Sequence, residues 1–577
     1  MKMSSPTNRT YAPLQVLVDE LARCGMTHAV TCPGSRNAPI VLALAAQQRV
    51  RSVSVIDERS AGFVALGLAK ASGRPVAVTC TSGTAAANLL PAVAEAWESR
   101  VPLVVLTADR PPELRGVGAG QAIDQIKLYG GFAKWFCEVG GHEPSRETAV
   151  HFRALGCRAY ATAAGGRPGP VHLNVALREP LAPVAEELDR ADWEGRPGGR
   201  AWTLVREGAR EPDARTLDRV ASTLAGAPRG VIVAGAGLAP CAPAEAIARL
   251  AELAGWPVLA EPTSGLRCGR HDGSRVVAHY DALLRHDAFA EAQAPELVLR
   301  LGDMPTSKPL RAWLAGARQV VVDPHADWHE PTRSARTLLV ADPLRTCTAL
   351  AGALEARTGT VDPDWMASWR GADAAAAAAA AALDGESSEP GAYTALAPAL
   401  RDGDTVWVAS SMAIRDVETF LPRLDADVVV LANRGANGID GTVSSALGAA
   451  LARGGRTFLL TGELALLHDL GGVAAAARAG VPLTIVCVNN GGGGIFDFLP
   501  VAEHAAAASY EEHVATPSAL ELEQVAALAG LPHRVAGTPA EVREAAAEPA
   551  LVEVRTDRTG NVELHRELHA RIGAAIA

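Results

Sequence analysis

The chain has 577 residues, a formal net charge of −10, 48% hydrophobic residues and 20% charged residues. One hydrophobic core does not grow to this length, so about three domains are expected, in a composition ordinary for a soluble globular protein. The acidic balance argues against a nucleic-acid or acidic-membrane surface, although a local arginine cluster could still bind anions. The opening Met-Lys-Met-Ser-Ser-Pro-Thr has no apolar signal region, and no uncharged apolar stretch reaches the ~20 residues of a membrane span, which predicts a cytoplasmic protein. Nine cysteines without a CxxC motif read as reduced core thiols.

In chain order, short β-branched runs alternate with longer amphipathic segments. His28–Cys32 precedes Ala38–Gln47, Val53–Asp57 precedes Ser60–Ala71, and Val76–Cys80 precedes Thr84–Glu98, followed by Leu103–Thr107. This is the pattern of a doubly wound parallel sheet, and residues 1–182 are expected to form the first domain. Residues 183–200 read as a charged, Gly/Pro-bearing linker. A second α/β block over 201–356 has strand runs Gly230–Ala234, Leu297–Leu301 and Gln319–Asp323. A third, over 357–577, opens with an Ala-rich run, Ala374–Ala382 within Asp373 to Asp384, expected as a surface helix. It continues with Val406–Ala409, Val428–Leu431, Phe458–Thr461 and Leu483–Val488. The fold class is therefore α/β with three doubly wound parallel-sheet domains.

Ligands of such sheets lie beyond the carboxyl ends of the strands, which directs attention to the loops there. Gly235-Ala-Gly237 follows a strand, but Pro240 stands at the third glycine position of a dinucleotide fingerprint, so a bound nicotinamide or flavin is not expected. His325, Asp327 and His329 follow Pro324 in a turn, and a structural role is expected for them rather than metal ligation. No Walker A, HExxH or GxSxG motif is present. In the third block, Gly462-Glu463 ends one strand and Asn489-Asn490-Gly491-Gly492-Gly493-Gly494 ends another. One helix and one strand separate Glu463 from Asn490, which places a carboxylate and a carboxamide at neighbouring strand ends. A hard cation carrying a diphosphate uses such oxygens, and glycines admit phosphates close to the backbone. The competing reading, a plain turn after a strand, accounts poorly for two asparagines followed by four glycines.

The Gly-acid…Asn-Asn pattern resembles the diphosphate and metal motif of thiamine-diphosphate enzymes, with Gly-Glu-Leu standing where that superfamily has Gly-Asp-Gly. The resemblance implies thiamine diphosphate and Mg²⁺ (or Mn²⁺) as cofactors, with Glu463, Asn490 and the Gly492 carbonyl as metal ligands. It also implies a glutamate that hydrogen-bonds the aminopyrimidine ring and assists proton removal from the thiazolium carbon. Glu58, between a strand and a helix, matches; a helix first-turn acid is the bland alternative. Further segments are similar to the 2-succinyl-5-enolpyruvyl-6-hydroxy-3-cyclohexene-1-carboxylate synthases of menaquinone biosynthesis. They are Cys-Pro-Gly-Ser35-Arg36-Asn, Thr-Ala-Asp-Arg110-Pro-Pro-Glu-Leu, Gly-Ala-Gly-Gln121-Ala-Ile, Asn-Arg434-Gly-Ala-Asn-Gly-Ile439-Asp-Gly and Gly-Gly-Ile495-Phe496.

That resemblance implies decarboxylation of 2-oxoglutarate and addition of the succinyl unit to isochorismate by a homodimer or dimer of dimers. Ser35, Arg36, Arg110, Gln121 and Lys308 would bind isochorismate, with Arg36, Arg110 and Gln121 also in the catalytic set. Ser411, Arg415 and Arg434 would hold the succinyl carboxylate, Ile439 would brace the bent cofactor, and Gly462, Ile495 and Phe496 would line its site. Both substrates are dicarboxylates, for which planar, bidentate guanidinium groups are suited. Gly120 and Pro309 depart from the family pattern. Another thiamine carboligase of acetolactate-synthase type, and a non-catalytic binding protein, are the readings weighed against this one.

Overall fold

The alternating runs become three six-stranded, all-parallel sheets in the computed structural model, which describes residues 7–577 apart from 141–142, 191–192, 239–242, 358, 360 and 382–386. The first contains β1 (His28–Thr31), β2 (Arg51–Ser54), β3 (Val76–Cys80), β4 (Leu103–Asp109), β5 (Trp135–Val139) and β6 (Val171–Ala176), in the order β2-β1-β3-β4-β6-β5. The second contains β7 (Gly230–Ala234), β8 (Val258–Ala260), β9 (Val276–Val277), β10 (Leu297–Leu301), β11 (Gln319–Val322) and β12 (Ala335–Leu339), in the order β12-β11-β10-β7-β8-β9. The third contains β13 (Thr405–Val408), β14 (Val429–Ala432), β15 (Thr457–Gly462), β16 (Leu483–Asn489), β17 (His533–Val535) and β18 (Leu551–Arg555), in the order β14-β13-β15-β16-β18-β17.

The first and third sheets thus repeat one topology, while the second has the order typical of dinucleotide-binding folds. Central strands are buried along their length, as in Val76-Ala-Val-Thr-Cys80, because helices cover both faces of a parallel sheet. Two expected elements differ. The strand expected over Val53–Asp57 ends at Ser54, and the Thr84–Glu98 helix divides into Thr84–Asn88 and Leu90–Glu98, with Pro91 at the start of the second.

By packing, the chain forms two compact units. One comprises Met1–Glu207, Asn433–Gly454 and His468–Val481; the other comprises Gly208–Ala432, Gly455–Leu467 and Pro482–Ala577. The expected linker is strapped to the first unit: Arg153 donates to the Trp193 carbonyl at 2.9 Å, and Arg23 to the carbonyls of Arg196 and Arg200. In the second unit the helix Pro363–Ala380 buries Trp365, Trp369, Ala372 and Ala376 against Val231, Val233 and Val298 of the central sheet. It also packs along the C-terminal helix Arg558–Ile576, whose Ile572 lies in the same cluster, so it joins elements of the second and third blocks. The Ala-rich run is the end of this surface helix, with Ala376 on its buried face and the other described alanines half-buried or exposed; Ala382 and Asp384 lie outside the described residues.

The first unit contains a close helix crossing. A Cβ on Gly67, in the helix Glu58–Ser72, would lie 2.0 Å from the Ser445 carbonyl oxygen. One on Gly448, in the helix Thr442–Arg453, would lie 2.2 Å from that of Val64. Backbone here meets backbone, with no flexible side chain to yield. Gly67→Ala is expected to cost about 1–3 kcal/mol as an overpacking change, read as a lower unfolding midpoint in a thermal or urea melt.

Candidate active site

In the first unit, the loops after β1, β3 and β4 bring several of the expected residues together. Asn37 fixes the β1 loop: its amide donates to the Cys32 carbonyl at 2.9 Å, and its oxygen accepts from Thr79 of β3 at 2.6 Å. Gly34, at φ 155°, lies against Thr81, where any Cβ would be 2.4 Å from the threonine Cβ. Ser35 is exposed beside it. Arg36 donates to the Leu177 carbonyl at 2.8 Å, and its buried Nε has no partner among the described residues.

Arg110 follows β4, whose terminal Asp109 accepts the Arg110 amide at 2.7 Å and the Asn174 carboxamide at 2.9 Å. The Arg110 guanidinium donates to Ser82, and its pKa is lowered by burial and then by the neighbouring charge of Arg36. Two guanidinium groups therefore lie near one another at the ends of β1 and β4. Gln121, at φ 57°, reaches the Ser82 carbonyl at 3.5 Å. Ser82, fully buried, is the hub that sequence reasoning did not single out, although it sits in the loop Thr81–Thr84 that the strand-end rule marks.

Glu58 begins its helix directly after the cap Asp57, whose side chain accepts the Ser60 amide at 3.0 Å. Its charge bears on two buried thiols: burial first and then this carboxylate push up Cys32, and burial, then Cys32, then this carboxylate push up Cys80; the glutamate thus lies near the ends of β1 and β3. Asp469, buried, accepts from Ser60 Oγ at 3.2 Å, the Ser444 amide at 2.7 Å and the Gly472 amide at 3.1 Å, joining three helices at their starts. The loop carrying Arg434 and Ile439 is held by Glu95, which accepts the Gly435 amide at 2.9 Å and the Ala436 amide at 2.6 Å. Arg434 lies close enough to the buried Lys70 to help lower its pKa, behind the larger effect of burial. Ile439 is half-buried, and its carbonyl accepts from Thr442 at 2.8 Å.

In the second unit, Ser411, at φ 70°, precedes the helix Met412–Phe420, and Arg415 donates back to its carbonyl at 2.5 Å, so both stand at the end of β13. Glu463 follows β15 and Gly462 directly; it is 3% exposed and accepts the Gly492 amide at 2.6 Å. Burial pushes its carboxyl up to about 6, against the pull of the backbone amides of Gly492 and Asn490. Gly491 and Gly492, at φ 73° and 143°, adopt conformations that disfavour side chains, and a Cβ on Gly492 would lie 2.6 Å from the Ala515 carbonyl. Ile495 and Phe496 occupy the 3₁₀ turn that follows, both half-buried. The Asn490 amide donates to Glu389 at 2.7 Å, while its Oδ1 is buried without a partner among the described residues. Glu389 is the second residue missed from sequence; burial, then the charge of Asp416, push its carboxyl up to about 8. A buried, uncommitted amide oxygen beside a carboxylate and a glycine cradle fits the donor set of a hard cation bearing a diphosphate.

Lys308 is exposed at the start of the helix Lys308–Leu314, where Ser307 caps the Leu310 amide. Pro309 stands in the first turn of this helix, a position that suits proline and accounts for the departure noted there. The Gly235-Ala-Gly237 turn serves the chain itself: a Cβ on Gly235 would lie 1.7 Å from the Asp303 carbonyl, and Glu261 accepts the Ala236 amide at 2.8 Å. Pro240 lies outside the described residues. His329 pairs with Asp303 at 2.8 Å, and Asp323 accepts the amides of His325, Asp327 and Trp328, a turn network as expected. The eight described cysteines are free and wholly or partly buried. Among the described residues no helix is long and apolar enough to cross a membrane.

Three family models match the chain. "Thiamine pyrophosphate enzyme, N-terminal TPP binding domain" matches residues 14–128, "Middle domain of thiamine pyrophosphate" 202–399 and "Thiamine pyrophosphate enzyme, C-terminal TPP binding domain" 416–555. The 2-succinyl-5-enolpyruvyl-6-hydroxy-3-cyclohexene-1-carboxylate synthase of Myxococcus xanthus is 44% identical, over 100% of this chain and 99% of its own length. Those of Geobacillus thermodenitrificans (44%, over 99% and 98%) and Geobacillus kaustophilus (45%, over 97% of both) agree. The chain belongs to this synthase family. A member of the 2-succinyl-5-enolpyruvyl-6-hydroxy-3-cyclohexene-1-carboxylate synthases is a thiamine-diphosphate-dependent transferase, so this reading stands over both the acetolactate-synthase type and the non-catalytic alternative.

The Glu95 contact predicts a local effect in this synthase. Glu95→Ala strands two amides, a loss of about 1–3 kcal/mol for such groups. Amide hydrogen exchange at Gly435 and Ala436 should quicken by roughly 10-fold or more, while the β3 and β4 amides keep wild-type protection.

Proposed function

We propose that the chain decarboxylates 2-oxoglutarate and adds the remaining succinyl unit to isochorismate in menaquinone biosynthesis, with thiamine diphosphate held through Mg²⁺ or Mn²⁺. The observation that carries the substrate reading is the meeting of Arg36 and Arg110 at the ends of β1 and β4. Apart from the exposed Glu179, 3.8 Å from Arg36, no carboxylate is ion-paired with either guanidinium among the described residues. Like charges held this close favour a dianionic ligand, and isochorismate is a dicarboxylate.

Thiamine diphosphate, when bound, supplies a thiazolium ring that stabilises a carbanion. Glu58 holds a proton at the aminopyrimidine ring nitrogen, and Ile439 braces the ring pair. Glu463, Asn490 Oδ1 and the Gly492 carbonyl hold the cation; Gly462 leaves room for the phosphates, and Ile495 and Phe496 exclude water. Ser411, Arg415 and Arg434 orient the distal carboxylate of 2-oxoglutarate, while Ser35, Arg36, Arg110, Gln121 and Lys308 orient isochorismate. The working form is a homodimer in which Glu58 of one subunit serves cofactor held by the other. CO₂ release from 2-oxoglutarate, measured with and without isochorismate, tests the whole reading, and preference for pyruvate would overturn it.

Arg415→Ala should weaken use of 2-oxoglutarate by roughly 30-fold or more, since removing one partner of a buried charge-assisted pair often costs ~2–5 kcal/mol. Residual pyruvate turnover, which needs no distal carboxylate clamp, should stay within about twofold. Steady-state kinetics on both substrates checks this, and equal losses would assign Arg415 to the fold.

Glu58→Gln should lower turnover by about 10²–10⁴-fold while leaving cofactor affinity intact. Mixing Glu58→Gln subunits with Asn490→Ala subunits should restore part of the activity after verified exchange. No restoration would exclude a site shared between subunits.

A further inference from the structure

The carboxamide of Asn490 is close to symmetric in shape, yet only its oxygen can ligate a cation. An asparagine free to turn over would present NH₂ to the cation half the time or more, and NH₂ repels it. Something must choose the orientation, and the motif around Asn490 does not: Gly491 to Gly494 carry no side chain.

Glu389 makes the choice. Its Oε1 takes the Asn490 Nδ2 at 2.7 Å, which turns Oδ1 to the opposite side, where that oxygen is buried and uncommitted. Glu389 itself is 1% exposed and cannot swing away. Its short helix, Glu389–Thr394, is tied at both ends: Tyr393 donates to the Thr461 carbonyl at 3.2 Å, one residue before Gly462, and Ser387 donates to the Arg555 carbonyl at 3.0 Å at the end of β18. Ser388 caps the helix through the Gly391 amide at 3.1 Å. Gly494 leaves room for this orientation, since a Cβ there would lie 2.5 Å from Nδ2.

We propose that Glu389 is a positioning residue for the divalent cation, fixing the Asn490 carboxamide so that Oδ1 faces the metal. This deepens the cofactor reading above and rests on its cation site. Residues that orient a metal ligand in this way typically contribute 10–100-fold in metal affinity.

The test uses the full-length protein and reads the Mg²⁺ concentration that half-saturates thiamine diphosphate binding, followed by calorimetry or intrinsic tryptophan fluorescence. Glu389→Gln keeps size and reach but pairs with either face of the amide; it should raise half-saturating Mg²⁺ about 10-fold or more. Glu389→Asp keeps the charge but withdraws the oxygen by a methylene, and it should show a loss of similar size. Melting of both variants without Mg²⁺ or cofactor should match wild type, whereas the Mg²⁺-dependent rise in melting temperature should shrink. Unchanged half-saturation in Glu389→Gln overturns the proposal. So does a wild-type response in Glu389→Asp beside a loss in Glu389→Gln, which would make Glu389 a mere negative charge, and so does equal destabilisation with and without Mg²⁺. If wild-type protein binds thiamine diphosphate equally well without divalent cation, it is the cation site itself that fails.

Discussion

Buried carboxylates accepting hydrogen bonds hold several of the segments that carry the candidate site residues. Asp109 fixes the turn that delivers Arg110, Glu95 fixes the loop of Arg434 and Ile439, Asp469 gathers three helix starts around Ser60, and Glu463 anchors the glycine loop through the Gly492 amide. Loops at strand ends have amides that no strand partner satisfies, and the four carboxylates that take them up here are themselves buried. A carboxylate buried in such a place is costly alone but strongly favoured once several N–H groups point at it.

The repeated strand order of the first and third sheets explains where those loops fall. In each, the strand order reverses between the first strand of the sheet and its third: β1 and β3 in one, β13 and β15 in the other. Loops on either side of such a reversal diverge and leave a crevice. Ser35 and Ser82 flank the first reversal, and Ser411 and Glu463 flank the second. The central sheet has its reversal between β7 and β10, but there Gly235 and Asp303 fill the space with their own backbone.

Much of this was legible from the residues. Val76–Cys80 and Leu297–Leu301 have the expected bounds because fully buried parallel strands are continuous apolar runs. The Asn-Asn-Gly segment and Glu463 stand at neighbouring strand ends, as their spacing implied. What stayed hidden depends on distance along the chain. Glu389 lies 101 residues from Asn490 and Glu95 lies 340 from Gly435, and no local pattern marks either carboxylate as a partner. The Pro363–Ala380 helix shows another limit: an alanine run has strong helix propensity but almost no amphipathic signal, so the side that packs against the central sheet and the C-terminal helix could not be read from it.

The crossing at Gly67 and Gly448 bears on how far this family member can vary. Where side chains meet, neighbouring substitutions can compensate by trading volume. Where main chain meets main chain, nothing can be traded, and the separation of the two helices is set by atomic radii alone. Glu58 begins one of these helices, and Ile439 lies just before the other. Their mutual placement is thus insulated from drift elsewhere in the sequence, and the surface of the first unit is free to diverge around two residues whose separation the main chain sets.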